Sequence, residues 1–501
     1  MNRLLTILFL LLALSAGAAN VWITQNGSGA TNGTDLANAQ TIGWIDSGTT
    51  VNPGDIIHLS GSFNFPLLVH NSGVSNNPIT IHFESNAVFS ASTWPVYADP
   101  CAGAIGMNGQ SWVIIDGGVN GMIECTDNGT SFGNQVASYG VQFANSSHIT
   151  IKNLRIRNIY VRTPGTDASV GAQYSVGVFG SCPSTTITDC IVSNCVISDA
   201  MMGISVDYGP ACSNFVFAGN TISNCNHSIR TPDRNASSVV NGIYIHHNQL
   251  SGWKNWDQDS NDNFHHNGIY CWADNGGHMT NVQVYANTFG PGYGGANQTA
   301  GCFFSGGIYD LMVYNNLFVA ATNEYCGNGF ITAGIAGNSQ TYNNTIIGGG
   351  PGTAINNGAG SGTHTIENNL SGNCNFLLFN YAVSSTLISD YNLSYGFTTG
   401  QQFSFSTNSS SVFKTTEEWH ALGYDVHSIT NSPTFNSDKS LTTGSAGIGA
   451  GTNLHSLDIT TDFYGNPRPS TGPWTIGAFE AGTNQPTISA TAFRVRFKSI
   501  Q

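Results

Sequence analysis

Two histidines, His265 and His266, stand side by side in DNFHHNGIYCWADNGG (262–277), just ahead of a short apolar run that carries Tyr270 and Trp272 and ends at Asp274. A neutral imidazole or a positioned phenol can move a proton near neutral pH. Upstream, SIRTPDR holds Arg230, Asp233 and Arg234, and GISVDYG holds Asp207. A guanidinium can neutralise a carboxylate on a ligand, and two carboxylates can divide acid and base roles between them. Phe303 follows in GCFFSGG. DQDSND places Asp257, Asp259 and Asp262 at calcium-loop spacing, although the glycine and distal Glu of an EF-hand are missing. Each group also has a plainer reading. Arg230 could form a surface ion pair with Asp207 or Asp233. The histidines could hydrogen-bond a loop, the aromatic rings could pack beneath an insertion, and the acidic run could be a solvated loop.

Composition narrows the setting. The chain begins MNRLLTILFLLLALSAGAAN: Arg3, an apolar run from Leu4 to Leu14, then small residues. This is the pattern of a secretory signal peptide over residues 1–19, with an apolar run too short to span a bilayer. The mature chain is therefore expected to be secreted, extracellular or periplasmic, with no membrane insertion. The net charge is −14, and loss of Arg3 with the leader makes it −15. That balance disfavours nucleic acid and would repel an acidic polysaccharide unless a metal ion or a local basic patch compensates. Eleven cysteines leave at least one thiol unpaired, and no CxxC pair suggests zinc. Sixty glycines and few charges suit many short strands and turns.

The elements that would position these residues come from a repeat. TIKNLRI, IVSNCVI, VFAGNTI, YIHHNQL, VYANTF, VYNNLF, TYNNTII and IENNL each place an Asn between two apolar strands, at Asn153, Asn194, Asn220, Asn248, Asn287, Asn316, Asn344 and Asn369. The steps are 41, 26, 28, 39, 29, 28 and 25 residues; the two long ones read as one unit plus an insertion. Such a period means stacked coils, and an inward Asn at each corner can tolerate left-handed dihedrals and bond its counterparts on neighbouring coils. His246 and His247, beside one such corner, read as structural.

On these units the chain resembles the right-handed parallel β-helix proteins of the pectin-lyase-like superfamily, over about residues 21 to 480. VWITQNGSGATNGT with VNPGDIIHLSGSF resembles their first coil. The closing LTTGSAGIGAGTN…DFYGNPRPSTGPWTIGAFE, with Asp462, Arg468 and Glu480, is similar to the end of many secreted bacterial members. It departs from them at Gly449 and Thr475, where an Asp is frequent. The resemblance implies an all-β, right-handed parallel β-helix over 20–482: a cap and first coils over 20–104, a main stack over 105–380, and a closing segment over 381–482 with one helical turn in KTTEEWHALG. Residues 483–501 form a tail, and the protein is expected to be a monomer.

The resemblance also implies that a glycan lies along the sheet whose strands here are GVFGS, GISVDYG, SIRTPD, GIYCWAD, GCFFSGG and GFITAG. Strand alternation sends Ile204, Val206, Ile229, Thr231, Ile269, Cys271, Cys302 and Phe304 inward. It presents Asp207, then Arg230, then Tyr270 with Trp272, then Phe303 outward on successive coils. The insertions at 162–175 and 254–266 would wall this groove. Two chemistries fit a polysaccharide there. In a lyase, Arg230 neutralises a uronate carboxylate while His265, His266 or Tyr270 moves the proton. In a glycoside hydrolase, Asp207 pairs with Asp233, Asp262 or Asp274. A calcium ion on Asp257, Asp259 and Asp262 could assist either. The third reading is a glycan-binding surface protein without catalysis, since the fold hosts both.

Overall fold

The computed structural model describes residues 18–47, 51–96, 102–163, 174–182, 185–256, 265–295, 299–358, 360–382, 385–397, 400–407 and 410–482. Asp257, Asp259 and Asp262, and with them the calcium expectation, lie outside the described residues, as do most of both insertions and of the expected leader, and the expected tail.

The chain winds into a right-handed parallel β-helix. A 14-stranded sheet runs from Gln40–Thr41, beside Asn20–Thr24, to Thr386–Asp390, and its pairs are parallel and in register from coil to coil. A typical coil follows Asn267–Ala273 with His278–Tyr285 on this back sheet, turns at an asparagine corner, and adds the short strand Thr288–Phe289. The next coil's outer strand, Ala300–Gly306, then pairs with Asn267–Ala273. In two coils the short and outer strands are one continuous strand, Val196–Asp207 and Thr221–Asp233. That continuity merges the remaining strands into a single 23-stranded sheet.

The alternation holds. Ile204, Val206, Ile229, Thr231, Ile269, Cys271, Cys302 and Phe304 are all fully buried. Rings stack along the inside, as Phe289 does on Phe318 at 4.3 Å. One apolar column therefore runs the length of the stack, and its burial is the main stabilising term.

The corners carry an asparagine ladder. Asn220, Asn248, Asn287, Asn316, Asn344 and Asn369 each donate their backbone N–H and Nδ2–H to Oδ1 of the next, ending on Asn392, at 2.9–3.2 Å. Asp425 closes the ladder by accepting from Asn392 Nδ2. Two details differ from the repeat as read. Asn153 and Asn194 do not belong to the ladder; they stand one residue earlier, at the left-handed position that Gly219, His247, Ala286, Asn315, Asn343, Asn368 and Tyr391 occupy in later coils. The left-handed residue and the ladder residue are thus separate positions, and where both are asparagine the motif looks the same shifted by one.

Parallel pairing continues past residue 380, to Phe403–Thr407, which then turns back in an antiparallel hairpin with Ser410–Lys414. The helical turn forms at Thr416–His420 with a Thr415/Glu418 capping box. It seats Trp419 on Phe403 at 4.8 Å, which lids the apolar column. The closing segment then folds back along the corners. Buried Arg468 bonds Glu480 at 2.9 Å and Asn315 Oδ1 at 3.0 Å. Thr475, where relatives were expected to carry an acid, donates its hydroxyl to Glu480 instead.

Candidate functional site

The outer strands align as expected. Ser205 faces Arg230, Arg230 faces Tyr270, Tyr270 faces Phe303, and Phe303 faces Thr332. One residue pair further along, Pro232 faces Trp272 and Trp272 faces Ser305. Neighbouring coils stand about 4.8 Å apart, so the side chains meet. Arg230 Nη1 donates to Asp207 Oδ1 at 2.8 Å and to Ser205 Oγ at 2.9 Å. Its guanidinium lies 4.7 Å from the centre of the Trp272 ring, a cation–π distance. Trp272 stacks on Tyr270 at 4.2 Å, and Tyr270 meets Phe303 edge-on at 5.3 Å.

The face is more closed than an open groove. Arg230 keeps 7% of its surface and Trp272 8%, whereas the Asp207 side chain keeps 41%. Tyr270 and Phe303 are half-buried. Burial lowers the pKa of Arg230, with Asp207 opposing the shift. Burial also raises the Tyr270 pKa, opposed by Arg230 and Arg234, so Tyr270 is a neutral phenol at pH 7.

His265 comes to this cluster and His266 does not. The His265 ring stacks near Tyr270 at 5.4 Å and meets Phe303 edge-on at 4.6 Å. Burial pushes its pKa down to about 4, with His266 adding to the shift, so the ring is neutral at pH 7. Amide nitrogens of Asn267 and Asn328 face its two ring nitrogens at 2.7 and 3.3 Å. A neutral imidazole carries one proton and cannot accept at both. Turning the Asn267 amide over resolves this: its otherwise orphaned buried Oδ1 accepts from Nδ1–H, and Nε2 keeps its lone pair. His266, fully buried, instead faces Thr299 Oγ1 at 2.6 Å. Neighbours in an extended chain point opposite ways, and of this pair the inner one is His266.

Asp233, expected to meet a ligand, is fully buried. Ser238 Oγ and the His278 N–H donate to its carboxylate, which ties the turn at 234–238 to the next coil. It has no surface to offer a ligand. Asp274 is exposed and close enough to Tyr270 to raise its pKa.

Three contributors were not assigned in the sequence. Arg234 is exposed, lies 5.2 Å from the Trp272 ring centre, and has no carboxylate partner among the described residues. His227 sits 5.2 Å from the Tyr270 ring, held neutral mainly by burial. Ser205 anchors Arg230. The same coil alignment that found Arg230 contains the signal for His227. Arg234 lies beyond the strand, where alternation gives no direction. Among the described residues no group of three or more His, Cys, Asp or Glu could hold a metal ion, and no helix is long and apolar enough to cross a membrane.

No protein-family model matches the chain, and no curated protein matches it in sequence. Solved structures do. The GH136 lacto-N-biosidase from Eubacterium ramulus aligns at 12% identity and a TM-score of 0.47, over 75% of this chain and 64% of that one. This chain thus spans under two thirds of that enzyme. The pectate lyase Pel9A aligns at 15% identity and a TM-score of 0.46, covering 93% and 97%. PfbA, a surface adhesin of Streptococcus pneumoniae, aligns at 10% identity and a TM-score of 0.42, covering 72% and 83%.

Proposed function

We propose that this is a secreted, monomeric carbohydrate-active protein that binds an acidic polysaccharide across the Asp207–Phe303 face and cleaves it by β-elimination. The observation that carries the reading is the exposed Arg234, without a carboxylate partner among the described residues, beside Trp272, Tyr270 and the neutral His265. Half-buried rings suit the apolar faces of sugars. An exposed guanidinium suits a uronate carboxylate, which Arg230 cannot serve without releasing Asp207. In the reaction, Arg234 neutralises the carboxylate, which acidifies the adjacent C5–H. His265 Nε2, exchanging its long 3.3 Å contact with the Asn328 amide for the substrate, accepts that proton, the C4–O bond breaks as the C4–C5 double bond forms, and the Tyr270 hydroxyl protonates the departing oxygen.

A hydrolytic route is less well served. It needs two available carboxylates; among the described residues Asp233 is buried and Asp207 is paired with Arg230, which leaves Asp274 as the one exposed and uncommitted candidate. The closed Arg230–Asp207 pair favours one other reading, binding without cleavage, because a charge already neutralised contributes little to turnover.

The test is to incubate the mature protein with acidic and neutral polysaccharides, with and without calcium, following unsaturated-uronate absorbance beside reducing ends. Both rise for a lyase. Reducing ends alone would indicate hydrolysis, and neither would leave a binding protein.

A further inference from the structure

A second groove, of about 410 Å³, lies away from this face, at the outer side of the asparagine corners. Its origin is legible in the corner residues. At two later corners an asparagine in the left-handed position holds the closing segment: Asn315 Nδ2 donates to Thr461 O, and Asn368 both donates to Thr452 O and accepts from Thr452 N–H. In the three coils before Asn315 that position is Gly219, His247 or Ala286, which offer no such amide, and Asn194, one coil earlier still, lines the groove. The cover stops at Phe463 and Tyr464, and the corner beyond stays open.

The floor is a straight row. Thr221, Gln249, Thr288 and Leu317 are register partners on successive coils, spanning about 14 Å at the coil spacing. The wall is Phe463 and Tyr464, with Tyr464 donating to Asp438 Oδ2 at 3.0 Å. Among the described residues Asp438, also bonded by Ser440, is the one carboxylate in the lining, and no Lys or Arg lines it. His247 is neutral at pH 7, its pKa lowered by burial to about 4.

We infer that this groove binds a neutral saccharide chain, its hydroxyls on Thr221, Gln249 and Thr288 and a ring face on the Phe463–Tyr464 wall. The volume falls in the range of ligand pockets. Hydroxyl and amide side chains at even spacing suit a chain of repeating hydroxyl-bearing units. A lining whose described residues hold one carboxylate and no cation disfavours uronates, so this ligand differs from that of the Tyr270 face. The inference does not depend on cleavage there.

The test is affinity electrophoresis and titration calorimetry of the full chain with xylan, mixed-linkage glucan, galactomannan and polygalacturonate. At least one neutral polymer should bind. Thr288→Trp, which fills the groove, should weaken that binding roughly tenfold or more, Gln249→Ala roughly threefold, and Tyr270→Ala not at all. Both groove positions are at least partly exposed, so superimposable thermal unfolding should show each variant folded. No neutral polymer binding, binding unchanged in folded Thr288→Trp, or binding removed by Tyr270→Ala would each overturn the inference.

Discussion

Arg230 and Asp207, 2.8 Å apart on adjacent coils, are unequal partners: 8% of the arginine side chain reaches solvent against 41% of the aspartate. The arginine depends on the pair more than the aspartate does. Asp207→Ala should lower stability by about 1–3 kcal/mol, the cost of leaving a buried donor unpaired. Asp207→Asn, which keeps an acceptor, should cost less. Arg230→Met should be milder than Arg230→Ala, because its stem still packs on Trp272. Urea midpoints of the four variants check this ordering.

The ladder gives a second expectation. Asn287 accepts from Asn248 twice and donates to Asn316 and to two backbone carbonyls. Asn287→Ala strands several buried groups at once and should cost on the order of 3 kcal/mol. Asn153→Ala, outside the ladder, loses only a left-handed preference and one bond to Asp116, and should cost about 1 kcal/mol. Equal losses in the two variants would contradict the assignment of Asn153 to the corner position.

These two asparagines show how far the sequence can be read. The stack, its coil register and the inward column were all legible, because period and alternation are regular there. Ladder membership at Asn153 and Asn194 was not, since adjacent corner positions favour the same residue for different reasons. Asn392 escaped notice because Tyr391 precedes it and the flanking pattern is weaker. At the site, Arg230, Tyr270 and Phe303 followed from alternation. Asp233 could not be judged as a ligand contact from residue type alone: it ends its strand and turns in to hold the next turn. The closure of Arg230 under Trp272 depends on rings meeting across coils, which a one-dimensional pattern does not contain.

Acid should destabilise the fold through its histidines. His246 and His265 have pKa values lowered by burial to about 3 and about 4, below the unfolded value near 6.5. Between pH 6.5 and about 4 the unfolded chain takes up protons that the folded chain does not. Stability is therefore full above pH 6.5 and falls as pH drops, by at most about 1.4 kcal/mol per pH unit per histidine. His246→Phe, which can keep the stacking on Tyr285, should flatten the slope of Tm against pH. An unchanged slope would contradict the burial of that ring as its cause.

The ten described cysteines are all buried and unbridged. Burial pushes Cys190 and Cys195 up to about 12, far from the thiolate that reacts. Cys190 and Cys195 should resist alkylation at pH 8 for hours in the native protein and react within minutes in the urea-unfolded protein, as peptide mass spectrometry would show. Prompt native labelling of Cys195 would contradict the closed column.

In the proposed elimination the Tyr270 hydroxyl delivers the proton to the departing oxygen at this face. The direct measurement is the rate of unsaturated product from the best acidic polysaccharide, comparing the native protein with Tyr270→Phe. The variant keeps the ring and its stacking on Trp272, so KM should change little while kcat falls by roughly a hundredfold or more. A Tyr270→Phe enzyme that turns over at the native rate would contradict the account.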